Sequence, residues 1–218
     1  MTHSPTEENY IKSIYHLQTE NGEVTTNNLA AVMQTRPASV TDMLKKLRAK
    51  KIVHYQRYRG FTLTESGTRT ALSIVRKHRL WEYFLVKKLG FDWDKVHAVA
   101  EELEHVNSEE LIARLDDFLG NPAFDPHGDP IPDHKGHVKK IRQIALPELD
   151  LKKTAVVSSV KKQSGEILDL LNHFGIALGT RLRVTRRFEY DGSIEIKIDK
   201  KNPFVICQQV AQHIFLSI

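Results

Sequence analysis

The sequence of 218 residues lacks several features that would place it in other classes of protein. It has one cysteine, Cys207, so no disulfide can form within the chain, as is typical of proteins in a reducing cytosol. No run approaches the roughly 18 apolar residues of a membrane-spanning helix, and the polar N-terminus has no apolar secretion segment. We therefore expect a soluble cytoplasmic protein, with Cys207 in the core because it ends the apolar run 204–207.

Positive charge is modest in total but concentrated in one window. The net charge is +5, yet residues 36–59 hold eight basic residues against one acid, Asp42. That window carries +7, which leaves −2 for the rest of the chain. A basic patch on a faintly acidic protein indicates a polyanionic partner, although a solvated helix face is the usual alternative.

The basic window coincides with a predicted helix-turn-helix. Apolar spacing predicts helices over 5–19, 27–34 and 37–50, and the alternating stretch 52–64 predicts a β-hairpin wing. In such a motif the second helix of the pair reads the major groove. The predicted DNA contacts lie on that helix and at the tip of the wing: Arg36, Pro37, Ala38, Ser39, Thr41, Asp42, Lys45, Lys46, Arg57 and Arg59.

A second feature is a stripe of metal-ligating side chains in the segment 95–106. They stand at relative positions 0, +4, +7 and +8, namely His97, Glu101, Glu104 and His105. On one helix they fall within about 100° of arc, so they form a single face. Carboxylates and imidazoles together suit a borderline divalent metal, and His78 and Glu82 form a similar pair upstream. A solvated polar face is the alternative, but it usually includes Lys or Arg, and this stripe has none.

These motifs resemble the metal-dependent repressors typified by the diphtheria toxin repressor and the manganese transport regulator. The resemblance rests on RKHRL at 76–80 with Glu82, KVH at 95–97, EHV at 104–106 and DPHGDPIP at 125–132, all in the family order. It covers essentially the whole chain. It implies a homodimer that binds a palindromic double-stranded DNA operator and represses metal-uptake genes when metal is bound.

The resemblance also implies two metal positions per subunit. The primary set is Asn9, Glu101, Glu104 and His105, and the ancillary set is His78, Glu82 and His97, with Gln163 and Glu166 as further polar candidates. Iron-responsive members often have Cys where Glu101 stands, and a carboxylate favours Mn(II) over Fe(II), although Zn(II) and other ions would also bind in vitro. Short manganese sensors have Asp in place of Asn9 and Glu in place of Lys12, so helix 1 is expected to contribute less here.

The predicted fold class is a mostly α N-terminal part followed by a small SH3-like β barrel. We predict a winged helix-turn-helix domain at 1–72, a helical metal-binding and dimerisation domain at 73–140, a linker at 141–151 and an SH3-like, FeoA-like domain at 152–218. In the last domain, strands are predicted at 154–160, 181–190, 193–198, 204–207 and 214–217, with a helix at 165–174. The helix predicted at 108–119 would help to form the dimer interface, and His127 is expected to be structural.

Two other functions remain open at this point. One is a regulator that binds DNA independently of metal and keeps a vestigial site, which Asn9 and Lys12 motivate. The other is a metal-dependent enzyme, because di-metal oxidases use Glu-x-x-His on helices. Those sites need the motif twice, and this chain has it once, so we expect no enzymatic activity.

Overall fold

The computed structural model describes residues 3–22, 24–56, 60–161, 164–199 and 201–217. Internal contacts divide the chain into two compact units. The first unit consists of Met1–His78, Glu101–Ile112 and Pro132–His137, and the second of Arg79–Ala100, Ala113–Ile131 and Val138–Ile218. Among the described residues, no helix combines the length and the apolarity needed to cross a membrane.

The first unit contains the winged helix. Its elements are α1 (Pro5–Asn21), α2 (Thr26–Val32), α3 (Pro37–Ala49), β1 (Val53–Gln56), β2 (Gly60–Leu63) and the first part of α4 (Glu65–Leu89). Helix starts follow the local sequence, because Ser4 with Glu7 and Thr25 with Asn28 form capping boxes on α1 and α2. β1 and β2 pair in antiparallel register as the wing.

One apolar core holds these helices together. It includes Ile11 and Ile14 of α1, Leu29 of α2, and Val40 and Leu44 of α3. Because the buried residues of α3 recur every three or four positions, the opposite face of the same helix remains in solvent.

The remaining helical part comprises α5 (Val96–Leu103) and α6 (Glu109–Phe118). The C-terminal part of the second unit is a six-stranded antiparallel sheet in the order β3-β8-β4-β5-β6-β7. The strands are β3 (Gln143–Ala145), β4 (Thr154–Val160), β5 (Arg181–Arg187), β6 (Ile194–Ile198), β7 (Phe204–Ile206) and β8 (Ile214–Ser217). Helix α7 (Gly165–Phe174) contributes Leu168 and Leu171 to the core of this sheet, and the short helix α8 spans Gln208–Ala211.

The fold class is confirmed, and β4, α7 and β8 have the predicted bounds. Three local expectations were wrong. The segment 141–151, predicted as a linker, contains β3, which pairs with β8 and extends the sheet. Cys207 is exposed because β7 ends at Ile206 and Cys207 is the N-cap residue of α8. Helix α5 ends at Leu103, so Glu104 and His105 lie in the turn after the helix and not on its stripe.

Candidate metal centre and nucleic-acid interface

Helix α3 presents a polar and basic face to solvent. All eight predicted contacts from Arg36 to Lys46 are exposed, while Val40, Leu44 and Leu47 on the other side are buried. Asp42 pairs with Lys45 at 3.2 Å, so the one acid of this face is partly neutralised by its neighbour. The arrangement leaves a face that is able to enter a major groove.

The N-terminus of α3 has the local chemistry that favours an anion. Arg36 is the N-cap residue, Pro37 lies in the first turn, and no side chain of the described residues caps this end of the helix. Open backbone N–H groups and the helix dipole favour an anion at such an end. The predicted contacts Arg57 and Arg59 lie outside the described residues.

The primary cluster lies in the first unit and consists of Glu8, Glu101, Glu104, His78 and His105. Its centre is Glu104, whose side chain is fully buried. His78 Nδ1 lies 2.6 Å from Glu104 Oε2, and His105 Nε2 lies 3.9 Å from Glu104 Oε1. His105 Nδ1 lies 2.6 Å from Glu8 Oε2, so the 101–105 segment contacts α1.

Two lysines, Lys12 on α1 and Lys77 on α4, lie beside the same cluster. Lys12 Nζ donates to both oxygens of Glu104, at 2.7 and 2.8 Å, and lies 3.4 Å from Glu101 Oε1. Lys77 Nζ lies 3.9 Å from Glu8 Oε1. The stripe therefore lacks cations in its own sequence but acquires one from α1.

The charges of the primary cluster are reflected in the pKa values of its buried members. Burial by itself would raise the pKa of Glu104, but the hydrogen bond with His78 and the charge of Lys12 outweigh it, so the pKa is lowered. Burial lowers the pKa of Lys77, against the opposing charges of Glu8 and Glu104. Glu104 is thus ionised at neutral pH, as a metal ligand must be.

Helix α1 contributes differently from the prediction. Asn9 is half-buried, and no side-chain contact joins it to Glu101, Glu104 or His105 in the part of the chain that the structure describes. Glu8, one residue earlier, contacts His105 instead. Glu8 and Lys12 are four residues apart and therefore share one face of α1, whereas Asn9 points about 100° away from Glu8. The acidic helix start was visible in the sequence, but its role as a partner of His105 was not.

A second cluster, the buried triad, lies in the second unit and consists of Glu82, Asp125 and His127. All three side chains are buried, and potential ligand atoms of the three lie within 4.8 Å of one another. His97 Nδ1 lies 3.2 Å from Glu82 Oε1 at the edge of the triad. The sequence analysis did not name Asp125 and His127 as candidate ligands, because both lie in a loop rich in proline and glycine and His127 was expected to be structural.

His127 is held in the orientation of a metal ligand. Its Nε2 lies 2.8 Å from the Trp93 carbonyl oxygen, while its Nδ1 lies 3.5 Å from Glu82 Oε2 and, among the residues that the structure describes, makes no hydrogen bond. A histidine that donates one ring N–H to a backbone carbonyl directs the other nitrogen at a metal. Burial tends to lower the pKa of His127, but Glu82 and Asp125 raise it above its ordinary value.

Asp125 of the triad has a raised pKa. Burial, with the charges of Asp129 and Glu82, raises its pKa to about 7, against the opposing effect of Arg79. Asp125 Oδ1 accepts hydrogen bonds from the backbone N–H groups of His127 and Asp129, at 2.8 and 2.9 Å. A cation beside Glu82 and Asp125 would relieve this concentration of buried negative charge.

The remaining predicted ligands are His78, Gln163 and Glu166. His78 lies in the first unit, one helical turn before Glu82 on α4, and contacts Glu104. Glu166 is exposed in the first turn of α7, and Gln163 lies outside the described residues. The division into primary and ancillary ligand sets therefore stays a prediction.

Profiles of three domain families match most of the chain. The family described as iron dependent repressor, N-terminal DNA binding domain, matches residues 3–61, and its metal binding and dimerisation domain matches residues 64–133. The FeoA domain matches residues 144–218.

Individual proteins show the same likeness. The iron-dependent repressor IdeR of Mycobacterium tuberculosis is 35% identical over 127 residues, which are 58% of this chain and only 55%, about half, of that protein. The diphtheria toxin repressor of Corynebacterium efficiens is 28% identical over 189 residues, 82% of each chain. A solved structure of a manganese-dependent transcriptional repressor in complex with manganese superposes with a TM-score of 0.88 at 36% identity, covering 97% of this chain and 99% of that one.

Proposed function

Because the chain belongs to the family of iron-dependent repressors, in the longer form with a FeoA domain, we propose that it is a transcriptional repressor whose affinity for operator DNA depends on a bound divalent metal. The family is one of DNA-binding regulators, so the enzyme alternative is set aside. The proposed targets are genes for metal uptake, which would be repressed when metal is plentiful.

The observation that carries the proposal is the contact between α1 and the 101–105 segment inside the unit that holds the DNA-reading helix. Glu8 on α1 meets His105, and Glu104 lies beside them, fully buried. Three carboxylates and two imidazoles are a suitable ligand set for Mn(II) or Fe(II). A vestigial site would be expected to lose such ligands, and this one keeps them.

The residues of α1 connect the primary cluster to the recognition helix. Ile11 and Ile14 pack in the same core as Val40 and Leu44 of α3, so the position of α1 affects the position of α3. A bound divalent ion would supply the positive charge that holds the carboxylates of α1 and of the 101–105 segment together. Metal and DNA would then increase each other's affinity reciprocally.

For the second metal position we propose the buried triad, with His97 at its edge. This proposal differs from the ancillary set expected from the sequence, because it adds Asp125 and His127 to Glu82. It is supported by the buried Nδ1 of His127, which lies 3.5 Å from the Glu82 carboxylate and makes no hydrogen bond within the described part of the chain. A divalent cation between the imidazole nitrogen and the carboxylate would stabilise this arrangement.

Manganese is the proposed physiological metal, with iron as the alternative. The support is chemical: Glu101 offers a hard oxygen where a thiolate would favour softer metals. Zn(II) and Cu(II) would bind more tightly in vitro by the Irving–Williams order, so affinity alone does not identify the physiological ion.

The proposed complex with DNA is a homodimer on a palindromic operator. Two copies of α3 would enter successive major grooves about 34 Å apart. Leu111 and Phe118 of α6 are exposed, at 40% and 64%, and such large apolar side chains are candidates for the dimer interface. Ser39 and Thr41 are proposed to reach base edges, whereas Lys45 and Lys46 contact phosphates.

The test is operator binding at fixed salt concentration, with the operator selected from a random double-stranded library. Affinity is measured by fluorescence anisotropy with chelator and then with Mn(II), or with Fe(II) under anaerobic conditions. We expect Mn(II) to tighten binding at least about tenfold, equivalent to roughly 1.4 kcal/mol of coupling. The double variant Glu101→Ala/His105→Ala should lose this response.

Fixed salt is essential because phosphate contacts alone change affinity by orders of magnitude. The matched control is Glu189→Ala, which removes an exposed carboxylate of the C-terminal domain and should leave the metal response unchanged. Equal affinity with chelator and with metal would refute the metal-dependent function and favour a metal-independent regulator.

A further inference from the structure

Lys12 occupies an unusual position for a lysine near a metal-ligating cluster. Its ammonium donates to both oxygens of Glu104, at 2.7 and 2.8 Å, and lies 3.4 Å from Glu101. Its side chain is only 12% exposed, and that of Glu104 is fully buried. The ammonium therefore uses the oxygens that a metal would need.

The charges of the cluster explain why a cation is required there. Glu8, Glu101 and Glu104 bring three negative charges, and Lys12 and Lys77 bring two positive charges. The net charge of the primary cluster with its two lysines is therefore −1 if the histidines are neutral. A buried carboxylate without a partner is strongly unfavourable, so Lys12 stabilises Glu104 within the protein.

The same lysine is incompatible with a dication on Glu104. Adding a divalent ion would bring the total to +1, with an ammonium and a dication on one carboxylate. Two such cations a few ångströms apart repel each other strongly outside bulk water. Glu101 is 52% exposed at the edge of the cluster, and the flexible four-carbon stem of lysine is long enough to carry the ammonium into solvent on that side.

We propose that Lys12 is an internal counter-cation that binds Glu104 and Glu101 when metal is scarce, and that a divalent ion binds this cluster only by displacing it. The inference rests on the proposed metal-dependent function. It adds a mechanism that sets the metal concentration at which the protein responds. Exchange of one cation for another lowers the apparent metal affinity, because part of the binding free energy is used to displace the ammonium. A site of this kind responds only when metal is abundant.

The exchange also gives α1 two alternative attachments. With Lys12 on Glu104, α1 is joined to the 101–105 segment by an ion pair and by the contact between Glu8 and His105. With metal on the carboxylates, the ion pair is replaced and the lysine is released. Lys12 and the metal therefore favour different arrangements of α1 relative to the 101–105 segment.

The first test compares Mn(II) affinity in the full-length wild type, Lys12→Met and Lys12→Gln, by competition with a fluorescent chelator. We expect both variants to bind Mn(II) about ten- to a hundredfold more tightly, the equivalent of one charge-assisted hydrogen bond. The matched control is Lys153→Met, because Lys153 also pairs with a carboxylate, Asp150 at 2.6 Å, but on the surface of the C-terminal part. It should leave Mn(II) affinity unchanged.

The second test uses the wild type and needs no substitution. Amine acylation followed by mass spectrometry should label Lys12 weakly in chelator and at least about threefold more strongly with saturating Mn(II), because side-chain burial limits reaction. Lys153 serves as the internal reference, since it is exposed in the absence of metal.

The outcomes separate the inference from the function on which it rests. Unchanged or weaker Mn(II) affinity in both Lys12 variants, or unchanged labelling of Lys12, would overturn the exchange mechanism while leaving metal binding intact. Failure of the wild type to bind Mn(II) in a manner that depends on Glu104 would instead overturn the proposed function itself.

Discussion

Glu104 is the buried centre of the primary cluster, and Glu104→Gln keeps its size while removing its charge. The substitution weakens the contacts with Lys12 at 2.7 Å and with His78 at 2.6 Å. A hydrogen bond to a charged group contributes about 1.5–3 kcal/mol, and removing one partner of a buried ion pair costs about 3–5 kcal/mol. Because Glu101 remains beside Lys12, we expect a loss of about 2–4 kcal/mol in the free energy of unfolding.

The neighbouring carboxylate provides the matched control. The Glu101 side chain is 52% exposed and lies 3.4 Å from Lys12, so Glu101→Gln should cost at most about 0.5 kcal/mol in the metal-free protein. Both variants remove one proposed ligand, and both should weaken Mn(II) binding. The pair therefore separates the structural role of Glu104 from its role as a ligand.

The measurement is urea denaturation in the presence of chelator, with unfolding monitored by far-UV circular dichroism. Both tryptophans, Trp81 and Trp93, lie in the second unit, so their fluorescence reports on that unit separately. Equal destabilisation by the two substitutions, or a loss below about 1 kcal/mol for Glu104→Gln, would refute the assignment of Glu104 as a buried ion-pair partner.

Three further predictions address the other sites. His127→Ala should remove one equivalent of bound Mn(II) in equilibrium dialysis, whereas His134→Ala, in an exposed loop, should not. Equal stoichiometry in both variants would argue against the buried triad as a metal site. The hydrogen bond with Lys50 lowers the pKa of Glu7, so its stabilisation is present above about pH 4.5 and lost as the pH falls through the lowered value. Glu7→Gln should therefore reduce the urea midpoint at neutral pH but not in strong acid, and an equal reduction at both pH values would contradict this. Lys46→Ala should reduce the slope of log affinity for DNA against log salt concentration by about one unit. An unchanged slope would show that Lys46 does not contact a phosphate.

The DNA-binding face was predictable because it depends on a single helix. Val40, Leu44 and Leu47 recur at helical spacing, so their burial fixes which side of α3 faces solvent. The capping residues are similarly local, since Ser4 and Glu7 act within one turn. Such features follow from periodicity and from hydrogen bonding within a few residues.

The composition of the primary cluster was only partly predictable, because it depends on contacts between distant segments. Glu104 and His105 were predicted as metal ligands on one face of a helix. Because α5 ends at Leu103, the orientation of their side chains is set by the turn that follows the helix. Glu8 reaches His105 across 97 positions of sequence. Spacing within one segment does not reveal which face of α1 meets that segment.

The buried triad was missed for a related reason. His127 was expected to be structural, because it belongs to the family's pattern at 125–132 and histidines in loops rich in proline and glycine are seldom ligands. The loop is held in place by the Asp125 carboxylate, which accepts two of its backbone N–H groups, and by the N–H of Val160, which donates to the His127 carbonyl at 2.9 Å. These bonds bury the ring beside Glu82, and the sequence alone gives no measure of that burial.

The two clusters differ most in the cation that each one contains. Arg79 beside Asp125 is fixed by its surroundings, since its guanidinium donates to the Pro130 carbonyl at 2.6 Å and lies 3.5 Å from Asp125 and Asp129. Among the described residues, Lys12 contacts only the carboxylates that it neutralises, and its single ammonium group has a flexible stem. A cation held by backbone as well as carboxylates has little freedom to leave, whereas one held by carboxylates alone is exchangeable for a metal. On this argument we propose that the primary cluster, where a metal would replace an exchangeable lysine, senses the metal concentration, whereas an ion in the buried triad would bind beside a cation that stays in place.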